Sequence, residues 1–117
     1  MKSRIGYINI GVRELERSVA FYRDVLGFEL LFSEPSFHYA RFSVDGFTFA
    51  MAAGGDQPQG DKHTGVGLVV EDVDAAYEEL KAKGVRFPMA PSKQPWGGYM
   101  AMFADPDGNL FYLDKGE

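Results

Sequence analysis

One order of segments occurs twice along these 117 residues, each time closing on two short apolar runs joined by Asp-Gly. In residues 7–12, Ile8, Ile10 and Val12 alternate with Tyr7, Asn9 and Gly11, the period-two pattern of a strand with one buried face. Residues 14–26 change to helical spacing, with Leu15, Val19, Tyr22 and Leu26 on one stripe and Gly27 at the end. Strand-like runs follow at 28–32, 39–44 and 47–52, the last two joined by Asp45-Gly46, a strong hairpin signal. In the second half, residues 65–70 place Val66, Leu68 and Val70 on one strand face. Residues 73–83 place Val73, Tyr77 and Leu80 on one helical stripe closed by Gly84. Residues 85–87 form a short strand, and 99–104 and 109–113 form a closing pair around Asp105-Pro106-Asp107-Gly108.

Two anchors register the halves independently. Setting Val12 on Val70 brings Tyr7 onto Gly65, and setting Asp45-Gly46 on Asp107-Gly108 brings Ala50 onto Tyr112. The expected organisation is one domain: an α+β chain of two βαβββ modules at about residues 4–53 and 64–115. Residues 54–63 between them are rich in Gly, Asp and Gln and read as a flexible linker. One helix covers one face of a four-stranded sheet, so each module must bury its other face against a partner half, in the same chain or in a second copy.

Composition narrows the function. Hydrophobic residues at 45% and charged residues at 25% are those of a folded globule, and ten Phe, six Tyr and one Trp imply an aromatic core. A net charge of -5 disfavours a nucleic-acid surface, which needs gathered Lys and Arg. The absence of cysteine removes disulfides, thiolate metal sites and thiol nucleophiles. No apolar run approaches the about 20 residues that span a bilayer, and the chain opens without a signal-peptide core, so the expected setting is the cytoplasm, with no membrane partner.

The run from Asn9 to Phe28 contains a strand, an acidic-Leu turn (Glu14-Leu15), Ser18, Phe21-Tyr22 and Leu26-Gly27-Phe28. It resembles the opening of the vicinal oxygen chelate superfamily, which includes glyoxalase, bleomycin-resistance and extradiol-dioxygenase proteins. The segment Pro95-Trp96-Gly97-Gly98-Tyr99, followed by Phe103-Ala104-Asp105-Pro106-Asp107-Gly108-Asn109, resembles that family's closing module. The resemblance covers essentially the whole chain. It implies a glyoxalase/bleomycin-resistance-type fold, with a concave eight-stranded sheet, helices outside and a homodimer. Read on their own, the same residues are structural first: Ser18 faces solvent or bonds back to a carbonyl, Phe21 and Tyr22 supply core area, and residues 105–109 shape a tight turn.

In metal-dependent relatives the ion is held from the first and last strands of each module. The resemblance carries those places onto Tyr7, Ala50, Gly65 and Tyr112. Ala50 and Gly65 have no side-chain donor, and a phenol is a weak ligand at neutral pH because it titrates near ~10. Transition-metal sites want three or four converging imidazoles or carboxylates. His38 and His63 are the only histidines, and both read as surface or strand-edge residues; a displaced site at His63 lacks partners, since no Asp or Glu is expected on an inward strand face. The expectation is therefore no metal and no cofactor.

Alternation assigns the concave side. It takes Tyr7, Asn9, Tyr39, Arg41, Ser43, Thr48 and Ala50 from the first module, and Met100, Met102, Leu110 and Tyr112 from the second, with Phe42, Val44, Phe47 and Phe49 toward the helices. Arg41 has two readings: an inward guanidinium holding a carboxylate or phosphate, or a surface Arg on an edge strand. Trp96 also has two: a core cap, or a stacking surface at the mouth. The ligand-binding set is Tyr7, Asn9, Tyr39, Arg41, Ser43, Thr48, Trp96, Met100, Met102 and Tyr112, with no catalytic residue assigned. Such a cavity suits a metal-free protein that sequesters a small aromatic or amphipathic molecule, similar to the bleomycin-resistance branch. The alternative is a glyoxalase-type lyase or isomerase, or a dioxygenase-related enzyme, with a degenerate or displaced metal site.

Overall fold

A computed structural model of the protein describes residues 1–54 and 60–116. The elements are β1 (Ile8–Val12), α1 (Leu15–Ala20), a π-type turn (Phe21–Val25), β2 (Glu29–Glu34), a 3-10 turn (Pro35–Phe37), β3 (Tyr39–Val44) and β4 (Phe47–Ala53) in the first half. The second half contains β5 (Lys62–Val69), α2 (Val73–Ala82), β6 (Arg86–Lys93), β7 (Tyr99–Ala104) and β8 (Asn109–Asp114). They form two compact units, Met1–Pro58 and Gln59–Glu117, each a βαβββ module. The eight expected strands make two four-stranded mixed sheets, ordered β1-β4-β3-β2 and β5-β8-β7-β6.

The two sheets repeat down to residue register. The shift that takes Val12 to Val70 takes Asn9 to Gly67, and the shift that takes Asp45 to Asp107 takes Ala50 to Tyr112. Asn9 pairs with Ala50 in the first unit, and Gly67 pairs with Tyr112 in the second. Both first strands run parallel to the last strand of their own unit.

In the first unit α1 packs on β3 and β4. Tyr22 is fully buried, with its ring centroid 5.2 Å from Phe49, 5.8 Å from Phe28 and 6.1 Å from Phe42. These contacts fix Phe42 and Phe49 on the helix side. The β3–β4 hairpin turns through Asp45 (φ 51) and Gly46 (φ 80), the two positive-φ positions that an Asp-Gly type I′ turn requires.

In the second unit the Asp72 side chain accepts from the Ala75 N–H at 3.0 Å and starts α2, which packs on β6 and β7. A ladder of rings joins helix to sheet: Tyr77–Phe87 at 4.7 Å, Phe87–Phe103 at 6.1 Å and Phe103–Phe111 at 5.3 Å. The β7–β8 turn is held from inside. Buried Asp105 accepts from the Asp107 and Asn109 N–H groups, both at 2.9 Å, and from Asn109 Nδ2 at 2.8 Å.

Several expectations are corrected. The helix read over residues 14–26 is α1 followed by a wider turn, in which the Leu26 N–H reaches back to the Phe21 carbonyl at 3.1 Å; one extra residue enters the turn and Tyr22 still points inward. Ser18, one of whose readings was solvent-facing, is fully buried. Phe47 pairs with Val44 but stands at the hairpin tip, 38% exposed. Part of the linker read at 54–63 lies outside the described residues, and Lys62 and His63 belong to β5. The short strand at 85–87 is the start of an eight-residue β6. Among the described residues no helix is long and apolar enough to cross a membrane.

Candidate functional site

Each sheet has one face turned away from its helix, and those faces hold most of the residues that alternation singled out. Cross-strand pairing sorts them into rows. In the first unit Phe32, Arg41, Ala50 and Asn9 form one row from β2 to β1. Glu34 pairs with Tyr39 on one side of it, and Glu29, Ser43 and Thr48 align on the other. Tyr7 lies just before β1 and is 65% exposed. Ala50, at the centre of the row, is buried.

Arg41 is exposed, yet the edge-strand reading fails: β3 is an inner strand, between β4 and β2. Its Cζ lies 5.1 Å from the centroid of Phe32, and the Phe32 ring lies 6.2 Å from Tyr39. Phe32 reaches this face through a register shift in β2 between Leu30, opposite helix-side Phe42, and Phe32, opposite Arg41.

The second unit is softer. Met89, Met102, Tyr112 and Gly67 form one row, and Ser92, Met100, Asp114 and Val69 the next. Leu110 pairs with Ala104 and His63 beside them. Met102, Leu110 and Tyr112 are half-buried and Met100 is buried. Near His63 the strand is distorted: Gly65 takes φ +81, and its N–H donates to His63 Nδ1 at 2.8 Å. Thr64 Oγ1 donates to the Leu110 carbonyl at 2.8 Å and accepts from the Val66 N–H at 3.1 Å. With Nδ1 used as acceptor, a neutral His63 ring carries its proton on Nε2. That ring lies 4.1 Å from the ring of Tyr112.

Trp96 sits on neither face. It occupies the β6–β7 turn closed by Gln94 N–H to the Gly98 carbonyl at 2.8 Å, and at 71% exposure it caps no core. Its indole lies across Gly98, where a Cβ would stand 2.8 Å from Nε1. His38 is exposed in the 3-10 turn's cap at φ 53, just before β3, and its carbonyl accepts from the Ala53 N–H at 2.8 Å.

The expectation that no carboxylate shares these faces is overturned. Glu29 and Glu34 align with Ser43 and Tyr39, and β8 runs one residue further than read, which puts Asp114 beyond Tyr112 on the same side. Glu34, Asp114 and Met89 were missed because β2, β8 and β6 run further than the strands read at 28–32, 109–113 and 85–87, and Glu29 and Phe32 because the run 28–32, whose alternation the shift interrupts, was assigned no face. The carboxylates are nonetheless dispersed. Glu34 accepts from the Ser36 N–H at 3.2 Å and Oγ at 3.0 Å, and Asp114 accepts from the Gly116 N–H at 3.1 Å. Among the described residues no three His, Cys, Asp or Glu side chains converge as a metal site, so this donor set does not fit the ion that some relatives carry.

Comparison with known proteins extends these observations. Residues 4–113 match the model of the Glyoxalase/Bleomycin resistance protein/Dioxygenase superfamily. A superfamily member from Sphaerobacter thermophilus superposes with a TM-score of 0.82 at 30% identity, covering 97% of both chains. TnmS3, an antibiotic binding protein from Streptomyces sp. CB03234, gives 0.80 at 30% identity over 97% of this chain and 95% of its own. The metallothiol transferase FosB of Lysinibacillus sphaericus is 28% identical over 96% of this chain and 82% of its own. The repeated βαβββ module, its register and the match along almost the full length lead to one conclusion: the chain belongs to the Glyoxalase/Bleomycin resistance protein/Dioxygenase superfamily.

Proposed function

We propose that this protein binds a small aromatic or amphipathic organic molecule against the helix-free faces of its sheets, without a resident metal, and does so as a homodimer in the cytoplasm. The observation that carries the reading is the row Met89–Met102–Tyr112, two thioethers and a phenol, at a position where the resemblance places a chelating side chain in metal-dependent relatives. Thioethers adapt to varied apolar shapes, and Tyr adds a rigid ring with one polar handle. The remaining ligand-position residues, Tyr7, Ala50 and Gly65, add no imidazole or carboxylate. The antibiotic binding of TnmS3, a relative of the same size and fold, supports the same reading. Each sheet has a helix-free face to bury, which supports a second copy as partner.

A thermal-shift screen of the purified protein against a diverse small-molecule panel tests this, because a ligand that binds only the folded state raises its apparent stability. Aromatic compounds raising Tm in a saturable way, from protein whose elemental analysis shows no stoichiometric transition metal, is the expected result. No shift with any compound overturns the reading. One observation favours a second: His63 stands beside Tyr112 with Asp114 on the same face, a start for a displaced metal site in a lyase or isomerase. A stoichiometric metal that chelation removes together with activity, and that His63→Ala fails to retain, would establish that alternative.

A further inference from the structure

We infer that Arg41, seated on Phe32, is an oxyanion-recognition point, so that the favoured ligand is an aromatic molecule carrying a carboxylate. The inference rests on the ligand-binding reading above and specifies its chemistry.

The first unit builds this arrangement at a cost in regular structure. Without the shift in β2, Phe32 would share the side of Leu30 and face the helix; with it, the ring lies opposite Arg41 on the open face. The guanidinium Cζ then rests 5.1 Å from the ring centroid. An aromatic face attracts the cation and limits its motion, yet consumes none of its N–H groups.

Among the described residues Arg41 makes no ion pair, although the chain carries 17 Asp and Glu against 12 Lys and Arg. The two carboxylates of β2 align one row to either side of Arg41, Glu34 with Tyr39 and Glu29 with Ser43, and Glu34 accepts from both the backbone N–H and the hydroxyl of Ser36. Among the described residues Arg17 meets Glu14, Arg23 meets Asp24 and Arg86 meets Asp61. Arg41 instead stands on an inner strand, in one row with Ala50 and Asn9. A planar fork of N–H donors resting on a ring suits a planar carboxylate joined to a flat apolar body. The Phe32 and Tyr39 rings, 6.2 Å apart, offer that body its apolar contact.

The test compares 2-naphthoate with 2-naphthamide, matched in shape and different in charge, by calorimetric titration of wild-type protein, Arg41→Gln and Arg41→Lys. Arg41 is exposed, so the variants should keep the wild-type melting temperature, which is measured alongside. The expected result is that wild type binds the acid at least tenfold more tightly than the amide, that Arg41→Gln removes this preference, and that Arg41→Lys restores part of it. Equal binding of acid and amide by wild type, or an acid preference that survives Arg41→Gln, overturns the inference while leaving the ligand-binding reading intact. Failure of both probes and of every neutral aromatic compound in the screen removes the ligand-binding reading and the inference with it.

Discussion

Arg86 Nη2 lies 2.6 Å from Asp61 Oδ1, and Nη1 lies 3.1 Å from Oδ2, so one two-pronged ion pair links the start of β6 to the residue preceding β5, the opposite edges of the second sheet. Hydrogen bonding from Arg86 holds the Asp61 carboxylate below its ordinary value of 3.8, with the opposite charge adding to the effect against partial desolvation.

A group whose pKa is lowered by folding stabilises the folded state above its unfolded value and loses that contribution as pH falls through the folded one. Asp61→Asn should therefore melt below wild type at pH 7. The gap should close as pH is taken downward from 3.8, and it should shrink in molar salt because the pair is exposed. Thermal melts across pH 2–7 measure it; a gap that widens in acid would contradict this role for the pair.

Gly108 turns at φ +84 directly beneath that pair, and a Cβ there would stand 2.9 Å from Asp61 Oδ1 and 3.0 Å from the Gly60 carbonyl. Gly46 turns at φ +80 with open space around it. Gly46→Ala should cost only the backbone strain, about 1–2 kcal/mol. Gly108→Ala should cost more, and urea unfolding of the two variants gives the comparison directly.

Tyr99, at the start of β7, donates its hydroxyl to Asp74 in the first turn of α2. That hydrogen bond, with lesser contributions from desolvation and the charges of Asp74 and Asp72, raises the phenol above its ordinary value of 10.0. The sign is opposite to that of Asp61: the contribution is full below 10.0 and is lost as pH climbs through the raised folded value. Tyr99→Phe should melt below wild type at pH 8, and the difference should fade in strong alkali.

Phe103 is fully buried between the rings of Phe87 and Phe111, whereas Trp96 is 71% exposed. Phe103→Ala should cost about 3–5 kcal/mol, a large part of the stability of a small domain. Trp96→Ala should stay within about 0.5 kcal/mol. Because Trp96 is the single tryptophan, wild-type emission should be that of a water-exposed indole before any ligand is added.

How far the sequence could be read depended on whether a segment kept its period. The Asp-Gly turns and the alternation of β1, β3 and β4 were regular, so the two halves could be set against each other to the residue, and the strand pairs Asn9–Ala50 and Gly67–Tyr112 obey those two shifts. Where a strand breaks its period, sequence reading lost it. The shift at Leu31 moved Phe32 onto the face of Arg41, and no single-residue propensity announces such a shift. Likewise the strand read at 85–87 stops where β6 continues to Lys93; Pro88 and Pro91 fit there because β6 is an edge strand and because register shifts fall on the intervals containing the two prolines. Contacts between side chains distant along the chain, such as His63 with Tyr112, became visible only once both flanking registers were known.

Those same prolines bear on how the molecule behaves when crowded with its own kind. A bare sheet margin is a template for another chain, and fibrillar growth proceeds by adding strands to it. Pro88 and Pro91 deprive β6 of two amide hydrogens and the shifts bend its ladder, so an incoming strand meets an interrupted row of donors. The first sheet protects β2 differently, with a carboxylate at each end, Glu29 and Glu34, and a kink between them. Replacing either proline with a residue that restores the donor would turn a margin that resists self-templating into one that invites it.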